Sequence, residues 1–408
     1  MKIKKFNLPK IKIRLMGDYA PGNSKTFMNI SESINILNFE GPLFNVKNKN
    51  FFLRQKAGPS MWSLSSPCFK IPGVAILANN HLFDFGNKGY LNTKKILDKN
   101  NWLTVGAGPT RKLASKPIQF KWYDKNVVIL ARCETQFGIA EEKKPGVASF
   151  DPTIYEQIRK FKKKKNVIII SYHGAAELFP WPSPSRQKLF RSFIDAGASI
   201  VHGHHSHIPQ GWEKYNNGTI FYGLGNFCVE PKKWSWHPNG LWSFSPEISY
   251  ENANIKIRPK TTVIENIAKK IRVRESTKYE KYKHFEYIKI CNKPLKNSVF
   301  LEGLWQEVSI RMYNDYYSLW LEFNSKKKRN IYQIFKNFIK MFICKLLPKK
   351  IGSINQKIEK YLLHYHLFIC DSHKEAISTA LGLLGGELKD LRNKKTKKMV
   401  DKWMINKL

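Results

Sequence analysis

Apolar runs of strand length, each closed by a polar or glycine-bearing cluster, recur through the first half of the chain. Residues 11–16 (Ile-Lys-Ile-Arg-Leu-Met) alternate apolar and charged positions and predict a strand that ends at Gly17 and Asp18. Residues 33–40 (Ser-Ile-Asn-Ile-Leu-Asn-Phe-Glu) predict a second strand, halted by Gly41-Pro42, with Glu40 at its tip. Residues 73–78 predict a buried third strand closed by Asn79, Asn80 and His81; Asp84, Gly86 and Gly89 follow, and residues 90–98 carry the apolar spacing of a helix. Further strands over 127–130 and 166–170 lead to Cys133 and His173, and residues 186–196 predict a helix stopped by Gly197. Ile200 and Val201 then run into Gly203, His204, His205, Ser206 and His207. Strand, polar loop and helix in repetition are the grammar of an α/β fold.

The polar tips change this from a fold reading to a chemical one. Asp18, Glu40, Asn80 with His81, His173, and the His205/His207 pair all stand at the ends of successive apolar runs, where α/β enzymes place their reacting groups. Either acid alone could be a turn carboxylate, and the His-rich loop alone a polar surface loop; their recurrence points to a common site. Neutral imidazole is the commonest nitrogen ligand for borderline metals. Two divalent ions held ~3.5–4 Å apart need several nitrogen and oxygen ligands and one bridging carboxylate, which this inventory supplies.

In this order the residues resemble the capsule synthesis protein CapA group within the calcineurin-like metallophosphoesterases. The resemblance rests on Gly17-Asp18, on Asn38-Phe39-Glu40-Gly41-Pro42, on Asn79-Asn80-His81 with Asp84 and Gly86, and on Gly106-Ala107-Gly108. It continues through His173 with Glu177, through residues 203–207, and through Gly223-Leu224-Gly225-Asn226-Phe227, covering about residues 11–230. Phe39 replaces a leucine of the family pattern, Gly174 a tryptophan and Ser206 a proline, and the arginine usual after Gly-Asp is missing; no presumed ligand is lost. The resemblance implies a four-layer α/β/β/α sandwich of two sheets flanked by helices, over residues 11–268, and a metal-dependent phosphoester hydrolase.

The expected ligands are Asp18, Glu40, Asn80, His173, His205 and His207, with Glu40 bridging two ions of manganese, iron or zinc. Gly-His-x-His reads in two registers here, so the share of His204 stays open. His81 is the candidate to protonate a leaving oxygen or steady the transition state, and Asp84 to orient it. The resemblance points to synthesis of a cell-envelope polymer, poly-γ-glutamate or a polysaccharide capsule, with a phosphorylated small-molecule or polymer-linked substrate and envelope-polymer synthase components as partners. The competing readings are a non-catalytic scaffold of such a complex and a nucleic-acid phosphodiesterase, which no aromatic-basic recognition motif supports.

Composition bounds these readings. The 408 residues, 42% hydrophobic, can bury a full core. A net charge of +39 favours a polyanionic neighbour, although the abundance of asparagine and isoleucine beside lysine points to a general compositional bias. Six scattered cysteines form no Cys-x-x-Cys pair, and the opening residues 1–9 lack an apolar signal-peptide stretch, so a reducing cytoplasmic compartment is expected. The tryptophans of residues 234–244 could stack on a sugar or a base, but such residues more often cover a sheet face. From residue 269 to 408 the pattern becomes long, basic and mainly helical, and no role follows for His364 or His366. Within it, residues 329–350 read as a basic amphipathic helix whose lysines interrupt any spanning window, suited to lie peripherally on an anionic inner membrane face.

Overall fold

The computed structural model describes residues 4–5, 11–44, 56, 58–64, 66–67, 69–164, 166–251, 254–268, 270–321 and 356–404. The segment 329–350 lies outside the described residues.

Two seven-stranded sheets form the body. In the first, Lys125–Cys133, Val167–His173 and Ile200–His204 run parallel side by side, with Cys133, His173 and His204 in register at one end. Val-Ile-Ile-Ile-Ser-Tyr-His is buried at every position, as a parallel strand covered on both faces must be. Successive side chains go to opposite faces. Val127, Ile129 and Ile169 join the core shared with Leu15, Ile36 and Ala75 of the second sheet, while Val128, Leu130, Ile168 and Ile170 pack with Ile154, Ile158, Phe190 and Phe193 of the outer helices Thr153–Lys162 and Pro184–Ala196. In the second sheet, Ile13–Ala20, Ile34–Phe39, Val74–Ile76 and Leu103–Val105 are parallel neighbours. Helix Gly86–Lys99 packs beside its edge strand. The fold is the expected α/β class, with a helical C-terminal part.

Arg14 shows where local pattern and structure part. Its alternating strand predicts a charged outer face, yet the guanidinium is fully buried, 2.5 Å from Glu247 and 2.8 Å from Glu275. Hairpin Glu247–Glu251/Asn254–Arg258 extends the same sheet, whereas Thr261–Ile267 belongs to a separate four-stranded sheet. Residues 248–264 are thus divided between two sheets.

The change expected at residue 269 comes later. Lys270–Glu275 folds back on Thr261–Ile267 and pairs in parallel with Thr26–Asn29, burying Ile271 and Val273. Helices begin at Lys278, with Lys278–Asn292 opened by a capping box of Thr277 and Glu280. Ser298–Met312, Asp371–Leu384 and Lys394–Trp403 follow. Their Leu301, Leu304, Trp305, Val308, Ala376 and Val400 belong to the same buried cluster as the two sheets, so the C-terminal helices share the core. Among the described residues no helix is long and apolar enough to cross a membrane.

Candidate metal centre

The carboxyl ends of the parallel strands of both sheets meet in one buried place. Asp18 is opposite Asn38 on one side and Asn226 on the other. Gly17 permits this approach, since a Cβ there would stand 1.8 Å from the Gly225 carbonyl oxygen. Glu40 follows the Ile34–Phe39 strand and donates its backbone N–H to the Tyr19 carbonyl. The next residue, Gly41 (φ +119°), turns the chain where any side chain would meet Met61.

His205 and His207 have φ of 83° and 57°. A left-handed backbone at a non-glycine residue costs about 1–3 kcal/mol and persists where function holds it. Here it aims both rings inward: ligand atoms of Glu40, His205 and His207 lie within 4.8 Å of one another. His173 Nε2 lies 3.2 Å from His205 Nδ1, 3.0 Å from Asn80 Oδ1 and 3.6 Å from Glu40 Oε1. His207 Nε2 is also 3.6 Å from Glu40 Oε1, and its Nδ1 is 3.6 Å from Asp18 Oδ2. The structure thus brings all six expected ligands together. His204 instead contacts Asp18 Oδ1 at 3.0 Å, with His202 edge-on behind it.

Several surrounding side chains carried little or no signal of their own in the sequence. Asn226 Nδ2 donates to the Gly240 carbonyl, which leaves Oδ1 to accept from His207 Nδ1 at 3.0 Å and directs the His207 Nε2 lone pair toward Glu40. Asn38 Nδ2 donates to Asp18 Oδ1 at 2.8 Å and lies 3.3 Å from His173 Nδ1, bridging two strand tips. Both stood inside quoted motifs, so motif position was the available signal. Lys56 had none: it is buried, donates to the Asn80 carbonyl at 3.2 Å and lies 3.9 Å from Asp84. Trp234 lies against His207 with ring centroids 4.4 Å apart and the planes tilted, whereas Trp242 is buried against His284 and the partly exposed Trp236 donates to the Lys233 carbonyl of its own turn. The aromatic stretch therefore divides between core, surface and site.

Electrostatics test whether these residues suit cations. Both Glu40 oxygens and Asp18 Oδ2 are buried without a hydrogen bond among the described residues. Burial, reinforced by the Asp18 charge, holds the Glu40 carboxyl well above the usual range. Burial also raises Asp18, but the bond and charge of His204, with His207 and Asn38, outweigh it and leave it low. Burial and then the neighbouring imidazoles drive His173 and His205 well below the ordinary value. With His173 and His205 neutral, the Lys56 charge does not offset the burial of Glu40, and bound divalent ions are the compensation that fits. Beside them His81 Nδ1 lies 2.7 Å from Asp84 Oδ2, which also accepts from the Met61 N–H. Burial lowers His81 against the opposing pull of Asp84.

Comparison with known proteins agrees in extent with these motifs. The family described as bacterial capsule synthesis protein PGA_cap matches residues 17–230. The chain is 32% identical over 206 residues to the capsule biosynthesis protein CapA of Bacillus anthracis, covering 47% of this chain and 49% of that protein. It is 34% identical over 157 residues to the PGA biosynthesis protein CapA of Bacillus subtilis, covering 38% and 41%. A probable polyglutamine synthesis accessory protein of Mycobacterium tuberculosis is 29% identical over 169 residues, covering 38% and 44%. In each case the match spans less than half of the relative's own length.

Proposed function

Because the chain belongs to the bacterial capsule synthesis protein family, we propose that it is a metal-dependent phosphoester hydrolase serving synthesis of a capsular or other envelope polymer. The observation that carries this reading is Glu40, whose two oxygens are buried without hydrogen bonds between His173 and His207. A scaffold has no use for so costly a carboxylate.

Asp18, His207 and Glu40 would hold one ion, and Glu40, Asn80, His173 and His205 the other. When bound, the ions supply Lewis acidity toward the phosphoryl oxygens and make a water acidic enough to attack at neutral pH. The chain's own residues do the positioning. Asn226 fixes the His207 ring, and Asn38 ties Asp18 to the His173 strand. Lys56 adds a buried positive charge beside Asn80 and Asp84, suited to an anionic substrate. Asp84 holds His81 through Nδ1, leaving Nε2 to exchange a proton with a substrate oxygen.

The names of the relatives support a polymer such as poly-γ-glutamate. The net charge of +39 supports a place beside an anionic membrane surface and the polymer synthase, on its cytoplasmic side. The test is reconstitution with manganese, iron or zinc and an aryl phosphodiester substrate. Turnover with at least one metal is expected; none with any of the three hands the role to the scaffold reading.

A further inference from the structure

The C-terminal helices are keyed to the same strand end that delivers His173. Glu134, fully buried, donates its backbone N–H to the His173 carbonyl. Its carboxylate accepts from Arg186 Nη2 at 2.8 Å, from Ser372 Oγ at 2.6 Å and from Cys370 Sγ at 3.3 Å. Asp371 completes the clamp with two bonds to the Thr135 backbone. This arrangement needs Gly174, because a Cβ there would stand 2.4 Å from Glu134 Oε2. The tryptophan of the family pattern could not occupy this position without displacing the clamp. The departure at 174 and the docked C-terminal part are thus one feature.

The clamp sets His373 one residue beyond Ser372, beside the centre. His373 Nδ1 lies 2.7 Å from the Tyr317 hydroxyl, and its ring is edge-on to His366 at 5.5 Å. His366 Nδ1 is buried without a hydrogen bond among the described residues. Glu177, which lies 3.8 Å from the His205 Nε2, acts electrostatically on His373 and Tyr317. The Lys56 ammonium acts likewise on His366 and His373. The core has no need of two imidazoles and a phenol gathered at this place.

Resting on the metal-dependent reading above, we infer that His366, His373 and Tyr317 form a protein wall of the substrate site, which binds the outward oxygens of a phosphoryl group. With the phenol donating to Nδ1, the His373 proton sits on Nε2, which can donate a hydrogen bond to an oxyanion; His366 offers a second ring. The C-terminal region thereby determines which phosphorylated substrates fit.

The test uses the full chain loaded with manganese and inorganic phosphate as probe, reading metal content, phosphate affinity by calorimetry, and KM against kcat for an aryl phosphate. In His366→Ala with His373→Ala, metal content should equal that of the unmodified protein while phosphate affinity falls about tenfold or more, the scale of one lost bond to a charged group. Tyr317→Phe, which keeps the ring and the packing, should shift affinity and KM in the same direction by a smaller factor, with kcat kept. Phosphate affinity within twofold in both variants overturns the proposal. Parallel loss of metal and phosphate also overturns it, showing the wall to be structural support. Absence of metal from the unmodified protein overturns the metal-dependent reading itself, and this inference with it.

Discussion

Replacing Glu40 by glutamine should make the protein more stable in chelator and less stable in metal. The carboxylate is fully buried, its two oxygens have no hydrogen bond among the described residues, and His173 beside it is kept neutral by burial. A buried group left without a partner costs about 1–3 kcal/mol, and more when charged. Glutamine keeps the shape and removes the charge, so Glu40→Gln should recover about 1–2 kcal/mol of that cost in the metal-free protein. Unfolding entropy grows with length, so for a chain of 408 residues this is a rise of about 1–2 °C in Tm. The sign with pH follows from the raised carboxyl: the folded state holds the proton more tightly, so stability falls as pH rises from the ordinary value of 4.5 toward the higher folded one. The advantage of the variant should therefore grow with pH. With metal at about a hundred times its Kd the unmodified protein gains about 2.7 kcal/mol, and the variant less. Differential scanning fluorimetry with chelator and with manganese, at two pH values, reads both signs. A variant less stable under both conditions, with no reversal, would refute the reasoning.

Asn226→Ala should weaken metal binding by about 10–100-fold with little change in fold, as expected when the partner orienting a ligand imidazole is lost; metal titration followed by circular dichroism checks it. His81→Ala should leave metal content intact and lower turnover by about 10²-fold or more, read by steady-state kinetics on metal-assayed protein. Burial raises Glu275, but its bonds to Arg14 and Ser31 and the Arg14 charge outweigh this and hold it at about 2. Its contribution is therefore complete above the unfolded value of 4.5 and lost as pH falls toward about 2. Glu275→Gln should flatten the acid unfolding profile in that interval.

What the sequence revealed was local. Each strand tip announced itself because an apolar run must stop somewhere: Glu40, Asn80 and His173 stand at or just past those stops, whereas the strand expected to end at Gly17 and Asp18 runs on to Ala20. The register of the His-rich loop was not legible, since left-handed backbone at His205 and His207 is a tertiary constraint with no glycine to mark it. Arg14 was unreadable for a similar reason: its partners, Glu247 and Glu275, lie more than two hundred residues away. Lys270–Glu275 alternates as a strand should, with Ile271 and Val273 at every second position, yet its pairing with Thr26–Asn29 is long-range and left no mark in either segment. The Gly174 departure became meaningful only once Glu134 and Ser372 were seen beside it.

The central claim, a two-ion hydrolytic centre built on Glu40, is tested most directly by metal stoichiometry of purified protein, measured by elemental analysis with and without the Glu40→Ala and His205→Ala substitutions. Up to two transition ions per chain are expected in the unmodified protein, with at least one lost from Glu40→Ala and both weakened in the double variant. Stoichiometric metal retained in the double variant would contradict the assignment of the site.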